Sequence, residues 1–227
     1  MREEISIKEE SEGSTAKPGH HFGEYPGAPY GTTWESRTEC FDAGVHHQME
    51  PGIHGTKADG AFSIVVSGQY PDDKDYGDTI LYTGSGGHKQ IEGGMREQVR
   101  NQNWSDSGNE ALLKSVSTRK PVRVIRGYEL DSEFAPWEGF RYDGLYICKK
   151  AWTEKNRDGH YDICRFTMER IPGQPPLRRR SAIVGRYKSL PGSVAAQPPM
   201  PAPQNARQRI RQQELAEVNK MNSFLDS

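Results

Sequence analysis

Cysteine is scarce: Cys40, Cys148 and Cys164 are the only three, with no C-x-x-C spacing. An odd, scattered set argues against a disulfide framework and points to a reducing, intracellular compartment. Long hydrophobic runs are missing too. The amino terminus, M-R-E-E-I-S-I-K-E-E, has no apolar stretch, and nowhere do about 18 apolar residues follow one another. The expectation is a protein neither secreted nor in a membrane. Apolar residues make up only 33% of the 227, beside 24 glycines and 15 prolines, so the folded part must be smaller than the chain. Nor is there a charge excess of one sign; the net charge is −1, which does not announce a protein that coats nucleic acid. The charge is unevenly placed. Residues 174–227 carry nine Lys and Arg against three Asp and Glu (9 − 3 = +6), and residues 1–19 give 3 − 5 = −2, leaving residues 20–173 at 18 − 23 = −5. A phosphate-binding surface on that middle segment has to be a local patch on an acidic body.

What is present divides into four parts. Residues 1–19 are charged and lack an apolar period, as in a disordered tail. Residues 20–172 form the folded domain. Residues 173–204 read as a Pro-rich linker, and residues 205–227 as a tail with a short helix placing Ile210, Leu215, Val218 and Met221 loosely on one side. Within the domain, residues 31–41 resemble a strand. Residues 61–68 (A-F-S-I-V-V-S-G) are a β-branched run suited to a strand buried on both faces, with residues 78–83 pairing beside it as the next strand. Residues 121–126, 143–152 and 160–170 are further strands, the last two joined by an N-R-D-G turn at 156–159. Helix formers cluster at 95–104 and at 109–116, where Asn109 is the expected N-cap and Leu112, Leu113 and Val116 the apolar face. Many strands with two short helices imply an α+β domain whose sheet curves towards a barrel.

The constellation that carries chemistry lies between residues 60 and 87. There the ends of two strands bring together Tyr70, Tyr82 and Asp73. Two phenol rings suit the faces of a flat heterocycle, and a carboxylate beside them accepts from an amino edge, the requirement for holding one nucleobase outside its helix. Other readings are weaker. T-G-S-G-G at 83–87 lacks the Lys and helix start of a P-loop, and His46, His47 and His54 have only Glu50 nearby as a carboxylate ligand, so neither a metal nor a cofactor is expected. Tyr142, Asp143 and Gly144 read as a structural turn into a strand, Arg178, Arg179 and Arg180 as a solvated basic tail, and Arg96, Arg100, Arg123, Arg126 and Arg141 as surface charges or contacts to a phosphate backbone.

Several separate motifs, in order, resemble one family: Phe22-Gly23 with Gly31-Thr32, G-V-H (44–46), G-I-H-G (52–55), D-G-A-F-S-I-V-V-S-G-Q-Y (59–70), Y-T-G-S-G-G (82–87), K-P-V-R-V-I-R (120–126) and R-Y-D-G-L-Y (141–146). Residues 20–170 are similar to an SRA, or YDG, domain. The resemblance implies a PUA-like barrel, strongly curved and flanked by short helices. It also implies a nuclear, non-catalytic chromatin module that binds double-stranded DNA carrying 5-methylcytosine by flipping the base, with chromatin proteins as partners through the tails. Tyr70 and Tyr82 become the stacking pair and Asp73 the acceptor for the cytosine amino group. Backbone around Ser67, Gly68 and Gln69, with Thr83, takes the remaining edge, and Gly84 and Ser85 lie near the methyl.

DNA contacts fall to the loop at 46–51, where Gln48 or Met49 enters the space left by the base, and to His88, Lys89 and Arg96 in the finger region. That region, H-K-Q-I-E-G-G-M-R (88–96), lacks the Asn-Lys-Arg sequence of the best-known animal members, so the expectation is binding of methylated DNA irrespective of strand symmetry. Extrusion costs a few kcal/mol, and stacking returns about 1–3 kcal/mol per base. A methyl adds only about 0.8 kcal/mol by burial. Two other functions fit less of the chain: the reader half of a modification-dependent nuclease system, and a protein-interaction adaptor with a degenerate SRA barrel whose carboxy-terminal helix does the binding.

Overall fold

The computed structural model describes residues 19–91 and 96–180. The expected tail at 1–19, apart from Gly19, the greater part of the linker and the helix within 205–227 lie outside the described residues. Among the described residues, ten strands and two helices follow in the order β1 (Thr33–Trp34), α1 (Arg37–Asp42), β2 (Ile53–Thr56), β3 (Gly60–Val66), β4 (Lys74–Asp75), β5 (Thr79–Thr83), β6 (His88–Gln90), β7 (Arg96–Gln98), α2 (Ser107–Thr118), β8 (Val122–Gly127), β9 (Phe140–Lys155) and β10 (Asp162–Arg170). Eight strands make one sheet, ordered β2-β3-β8-β9-β10-β5-β4 with β1 added beside β9, while β6 and β7 form a separate hairpin. Only β3 and β8 pair in parallel; the other pairs are antiparallel.

Every residue of β3 is buried. Its Ile64 and Val66 pack in one core cluster with Val122, Val124, Ile80, Phe166 and Met168, while Val65 turns the other way to meet Ile125, Val45 and Cys40. Period-2 alternation thus feeds two cores, which is why the run reads as apolar without interruption. Each such aliphatic side chain contributes about 1.5–3 kcal/mol by leaving water. Register shifts at His54/Gly55, Arg123/Ile125 and Thr167/Met168 bend the sheet. The bend is deep enough that Tyr82, on β5, donates its hydroxyl to the carbonyls of Gly52 (3.1 Å) and Val65 (3.3 Å), which belong to the opposite end of the strand order. The sheet is therefore curled on itself, and α2 lies against β2, β3 and β9.

Several expectations need correction. Residues 78–83 do form a strand, but β5 pairs with β10 and β4 rather than β3, whose neighbours are β2 and β8. Residues 31–41 hold a two-residue strand followed by α1, capped by Ser36: its Oγ accepts the Glu39 amide (3.2 Å), and the Glu39 carboxylate accepts the Glu35 amide (3.0 Å) just before it. The expected helix at 95–104 contains β7 instead, because Arg96–Gln98 pairs back onto β6. Asp106, not Asn109, precedes α2 as N-cap. On that helix Leu112 is buried, whereas Leu113 is 46% exposed. Tyr142, Asp143 and Gly144 lie inside β9 rather than in a turn.

The arginines differ most. Arg123 and Arg126 are fully buried and Arg141 nearly so. Arg123 donates to the carbonyls of Val45, Gly19, His21 and Gly23, fastening the amino-terminal arm across the sheet. Arg126 and Arg141 share Asp143, and Arg126 also grips Asp75 through two nitrogens, at 2.7 and 2.8 Å. At the carboxy-terminal end, residues 173–180 pack on the domain rather than leaving it. The Gln174 side chain bridges both backbone groups of Leu145, Tyr30 donates to Pro176, and Arg180 donates to Tyr128 and Pro136. None of the helices among the described residues is long and apolar enough to cross a membrane.

Candidate functional site

Three turns meet at the curled end of the sheet. The first follows β3 and carries Ser67, Gly68, Gln69 and Tyr70; it closes on the Asp73 amide, which donates to the Tyr70 carbonyl at 3.1 Å. Gly68 takes φ +79°, and a Cβ there would run into the backbone of Glu129 and Leu130, so only glycine passes at this point. The second is the end of β5, where Thr83 meets that turn and the Tyr82 hydroxyl reaches the carbonyls of Gly52 and Val65. Thr83 donates its amide to Asp73 Oδ1 at 2.7 Å. The third is the β6–β7 hairpin. Arg96 of β7 donates its amide to the Gln69 carbonyl (3.2 Å) and Nη1 to the Tyr70 hydroxyl (3.2 Å).

Asp73 is the least satisfied group. Its Oδ2 is buried and has no hydrogen-bond partner, although the residue as a whole keeps part of its surface in solvent. Burial pushes its carboxyl up from 3.8 to about 7, against the pull of the Thr83 hydrogen bonds and Arg165. Tyr82 is 1% exposed, and its phenol is raised well above the ordinary value by burial, then by Asp73 and Tyr70. Tyr70 is partly exposed. His88 meets its ring edge-on at 4.6 Å, and the Arg96 guanidinium sits 5.5 Å from its centroid. Burial, with Arg96 and Arg100 nearby, lowers His88 to about 4, so it is neutral near pH 7. Tyr70, Asp73, Tyr82, Thr83, His88 and Arg96 are thus brought together, while Lys89 points out to solvent.

Gly84 and Ser85 offer surface rather than hydrogen bonds. Gly84 donates to Cys164 and accepts from Gln102, and Ser85 exchanges both backbone bonds with the Asn109 side chain, all within 2.7–3.0 Å. A Cβ on Gly84 would strike Asn109, Cys164 and Gln102. Gln48 and Met49 lie on a neighbouring loop, with Met49 46% exposed. The loop is held by Arg37, which donates to the carbonyls of Gln48 (2.9 Å), Met49 (3.3 Å) and Pro51 (2.8 Å). His46 is also committed: its Nε2 donates to the Pro51 carbonyl at 3.0 Å and its Nδ1 accepts from Ser63 at 2.9 Å. Among the described residues, no group of three or more His, Cys, Asp or Glu is placed to hold a metal ion.

Arg37 and Arg165 escape a reading of the sequence. Arg165, 3% exposed, donates Nη1 to the Asp72 carbonyl (2.5 Å) and the Thr83 hydroxyl (2.8 Å) and Nε to Glu154 (2.6 Å), locking the two segments that hold Asp73. An arginine in β10 looks like an outward-facing charge, and nothing local marks it. Arg37 had a signal, since S-R-T-E at 36–39 fixes a helix start beside the loop.

The SAD/SRA domain model matches residues 21–174. A UHRF1-like protein of Cryptococcus neoformans var. grubii is 42% identical over 166 residues, covering 70% of this chain and 48% of that protein. The chain thus spans about half the length of that relative. Among solved structures, the SUVH5 SRA domain bound to fully hydroxymethylated CG DNA shares 36% identity at a TM-score of 0.59, covering 70% of this chain and 99% of that one. The same domain has been solved with fully methylated and with hemimethylated CG DNA. The modification-dependent TagI restriction endonuclease matches at 37% identity and a TM-score of 0.63, covering 74% of this chain and 62% of that one. With the curled sheet, the Tyr-Asp-Tyr turns and this match over most of its length, the chain belongs to the SAD/SRA domain family.

Proposed function

We propose that this protein is a non-catalytic nuclear reader that binds double-stranded DNA by extruding a 5-methylcytosine into the slot between Tyr70 and Tyr82. The observation that carries the reading is the buried, unpartnered Oδ2 of Asp73 beside those phenols. A buried acceptor without a partner costs about 1–3 kcal/mol, and the exocyclic amino group of cytosine is a donor that removes the cost. Thymine presents a carbonyl at the same place and leaves it. Arg96 and His88 shift off the Tyr70 ring to admit the base. Ser67, Gly68, Gln69 and Thr83 meet its remaining edge, and Gly84 and Ser85, their backbone bonds already made, give the methyl a tight wall. Met49, exposed on a loop fixed from behind, fills the vacated stack better than Gln48, whose backbone is the more tightly tied. Chromatin proteins are partners through the tails.

Fluorescence anisotropy with methylated, hemimethylated and unmethylated duplexes tests this. Both modified duplexes should bind more tightly than the unmodified one. Tyr70→Ala should weaken methylated binding by about 5- to 150-fold, the equivalent of 1–3 kcal/mol of stacking. Equal affinity for all three duplexes, unaltered by Tyr70→Ala and Asp73→Ala, overturns the reading.

The likeness to TagI gives one alternative weight, a reader half of a modification-dependent nuclease system. The nearest sequence to a nuclease motif, residues 71–74 (P-D-D-K), is used otherwise: Asp72 accepts from the Arg157 amide, Asp73 from Thr83, and Lys74 is exposed. Metal-dependent cutting of methylated plasmid by the protein would favour the nuclease reading.

A further inference from the structure

Between β8 and β9 runs a loop, residues 128–139 (Y-E-L-D-S-E-F-A-P-W-E-G), with four carboxylates and no Lys or Arg. Glu129, Asp131, Glu133, Trp137 and Glu138 are exposed on it, Trp137 by 52%, and Phe134 lies at its surface. Acid and aromatic rings together suit a cation with a flat face, which a guanidinium has and an ammonium lacks. The chain supplies that cation from its own carboxy-terminal strap, residues 173–180. Arg179 lays its guanidinium 5.0 Å from the Phe134 centroid and pairs with Glu133 at 3.0 Å. Arg180 lies 5.8 Å from the Trp137 centroid. It also donates its amide to the Glu133 carbonyl (2.8 Å) and its side chain to the carbonyls of Tyr128 and Pro136. Consecutive arginines thus sit on the loop as a bound peptide would.

The match is incomplete on the acidic side. Only Glu133 has an ion pair; Glu129, Asp131 and Glu138 have none among the described residues, and neither has Arg180. The strap, moreover, does not depend on its arginines to stay docked. Upstream, Gln174 bridges Leu145 and Tyr30 donates to Pro176, so residues 178–180 can lift while the rest remains. We propose that the 128–139 loop is a binding site for an arginine-rich segment of a partner protein, which residues 178–180 occupy in cis as an internal competitor. The tether holds those arginines at an effective concentration on the order of mM, so a single arginine cannot displace them. A longer run can, because it also pairs with the three carboxylates that the strap leaves. The site uses none of the slot residues and stands apart from base recognition.

The test uses the full chain and fluorescence anisotropy of a labelled, amidated peptide copying residues 176–180 (P-L-R-R-R), beside the same peptide with lysine for arginine. The double variant Arg179→Ala/Arg180→Ala should bind the arginine peptide about 10-fold more tightly than wild type, the gain if the strap covers the site about nine-tenths of the time. In that background Trp137→Ala should weaken binding by about 2- to 30-fold, and Glu133→Gln by up to about 5-fold. The lysine peptide should bind more weakly, having no planar face for the rings. Equal affinity of wild type and double variant overturns the competition, and indifference to both Trp137→Ala and Glu133→Gln overturns the site. If the double variant unfolds, hexa-arginine with the wild-type chain decides. It should bind more tightly than P-L-R-R-R and lose that advantage in Glu129→Gln/Asp131→Asn/Glu138→Gln, which keeps the strap's own contacts; no advantage in wild type overturns the site. Methylated-duplex affinity should be unchanged in Trp137→Ala. A fall there assigns the face to DNA and overturns the peptide site.

Discussion

Asp73→Asn is expected to stabilise the free protein at neutral and higher pH while destroying its recognition of methylcytosine. In the native fold Oδ1 accepts from the Thr83 amide and Oδ2 has no partner. The Asn amide oxygen must take the Thr83 bond, so its NH₂ occupies the Oδ2 position, a donor facing the donor of cytosine. The affinity ratio of 5-methylcytosine to thymine should fall roughly 100-fold or more, since thymine presents an acceptor there. The stability change follows from the proton. Burial raises the carboxyl from 3.8 to about 7, so between those values the native state holds a proton that the unfolded chain has released. Wild-type stability is then complete below about pH 4, declines as pH rises towards 7 and levels off above it. Asn does not titrate, so the gap between the two proteins should open across that window. At about 1.36 kcal/mol per unit the ceiling is about 4 kcal/mol, less what water reaching the partly exposed residue recovers. Thermal unfolding of both proteins from pH 4 to pH 8 measures the gap. A constant difference across the range would show that the buried charge is not the cause.

How far the sequence reveals this arrangement depends on the distance between partners. β3 is legible because seven consecutive buried residues need no partner to identify them, and the Tyr70–Asp73–Tyr82 set because a dozen residues span it. The pairing of β5 is not. Adjacent strands usually pair, but here the sheet curls, and β5 returns beside β10, more than eighty residues later. The hairpin of β6 and β7 is hidden for the opposite reason: residues 96–98 are all good helix formers, and the local pairing across residues 91–95 overrides propensity. Most misleading is V-R-V-I-R in β8, whose two arginines read as surface charges. Both faces of β8 are covered, Arg123 by the arm at residues 19–23 and Arg126 by Asp75 and Gly77, so the charges point inward. No pattern within the strand records that cover.

The second large effect concerns that interior charge. Arg126→Met should cost about 3–5 kcal/mol, because it strands the buried Asp75 carboxylate, while Asp143 keeps Arg141. Asp75 and Asp143 are both 0% exposed at the side chain, and Arg126 reaches both, along with the Gly77 carbonyl and the Tyr146 hydroxyl. Against a total stability of about 5–15 kcal/mol, that is a large share, and urea unfolding would show the midpoint fall. The double variant with Asp75→Asn should recover much of it, since Asp143 stays paired with Arg141 and no bare charge is left inside. If it does not, the loss belongs to packing against Phe134 and Tyr146, whose rings lie 5.8 Å from the guanidinium. Binding separates the two further. Asp75 lies two residues after Asp73, and Arg126 with Ser132 pins it in β4. A refolded double variant should therefore stay stable yet bind methylated duplex more weakly than wild type, because the ion pair that fixes the turn beneath Asp73 is gone.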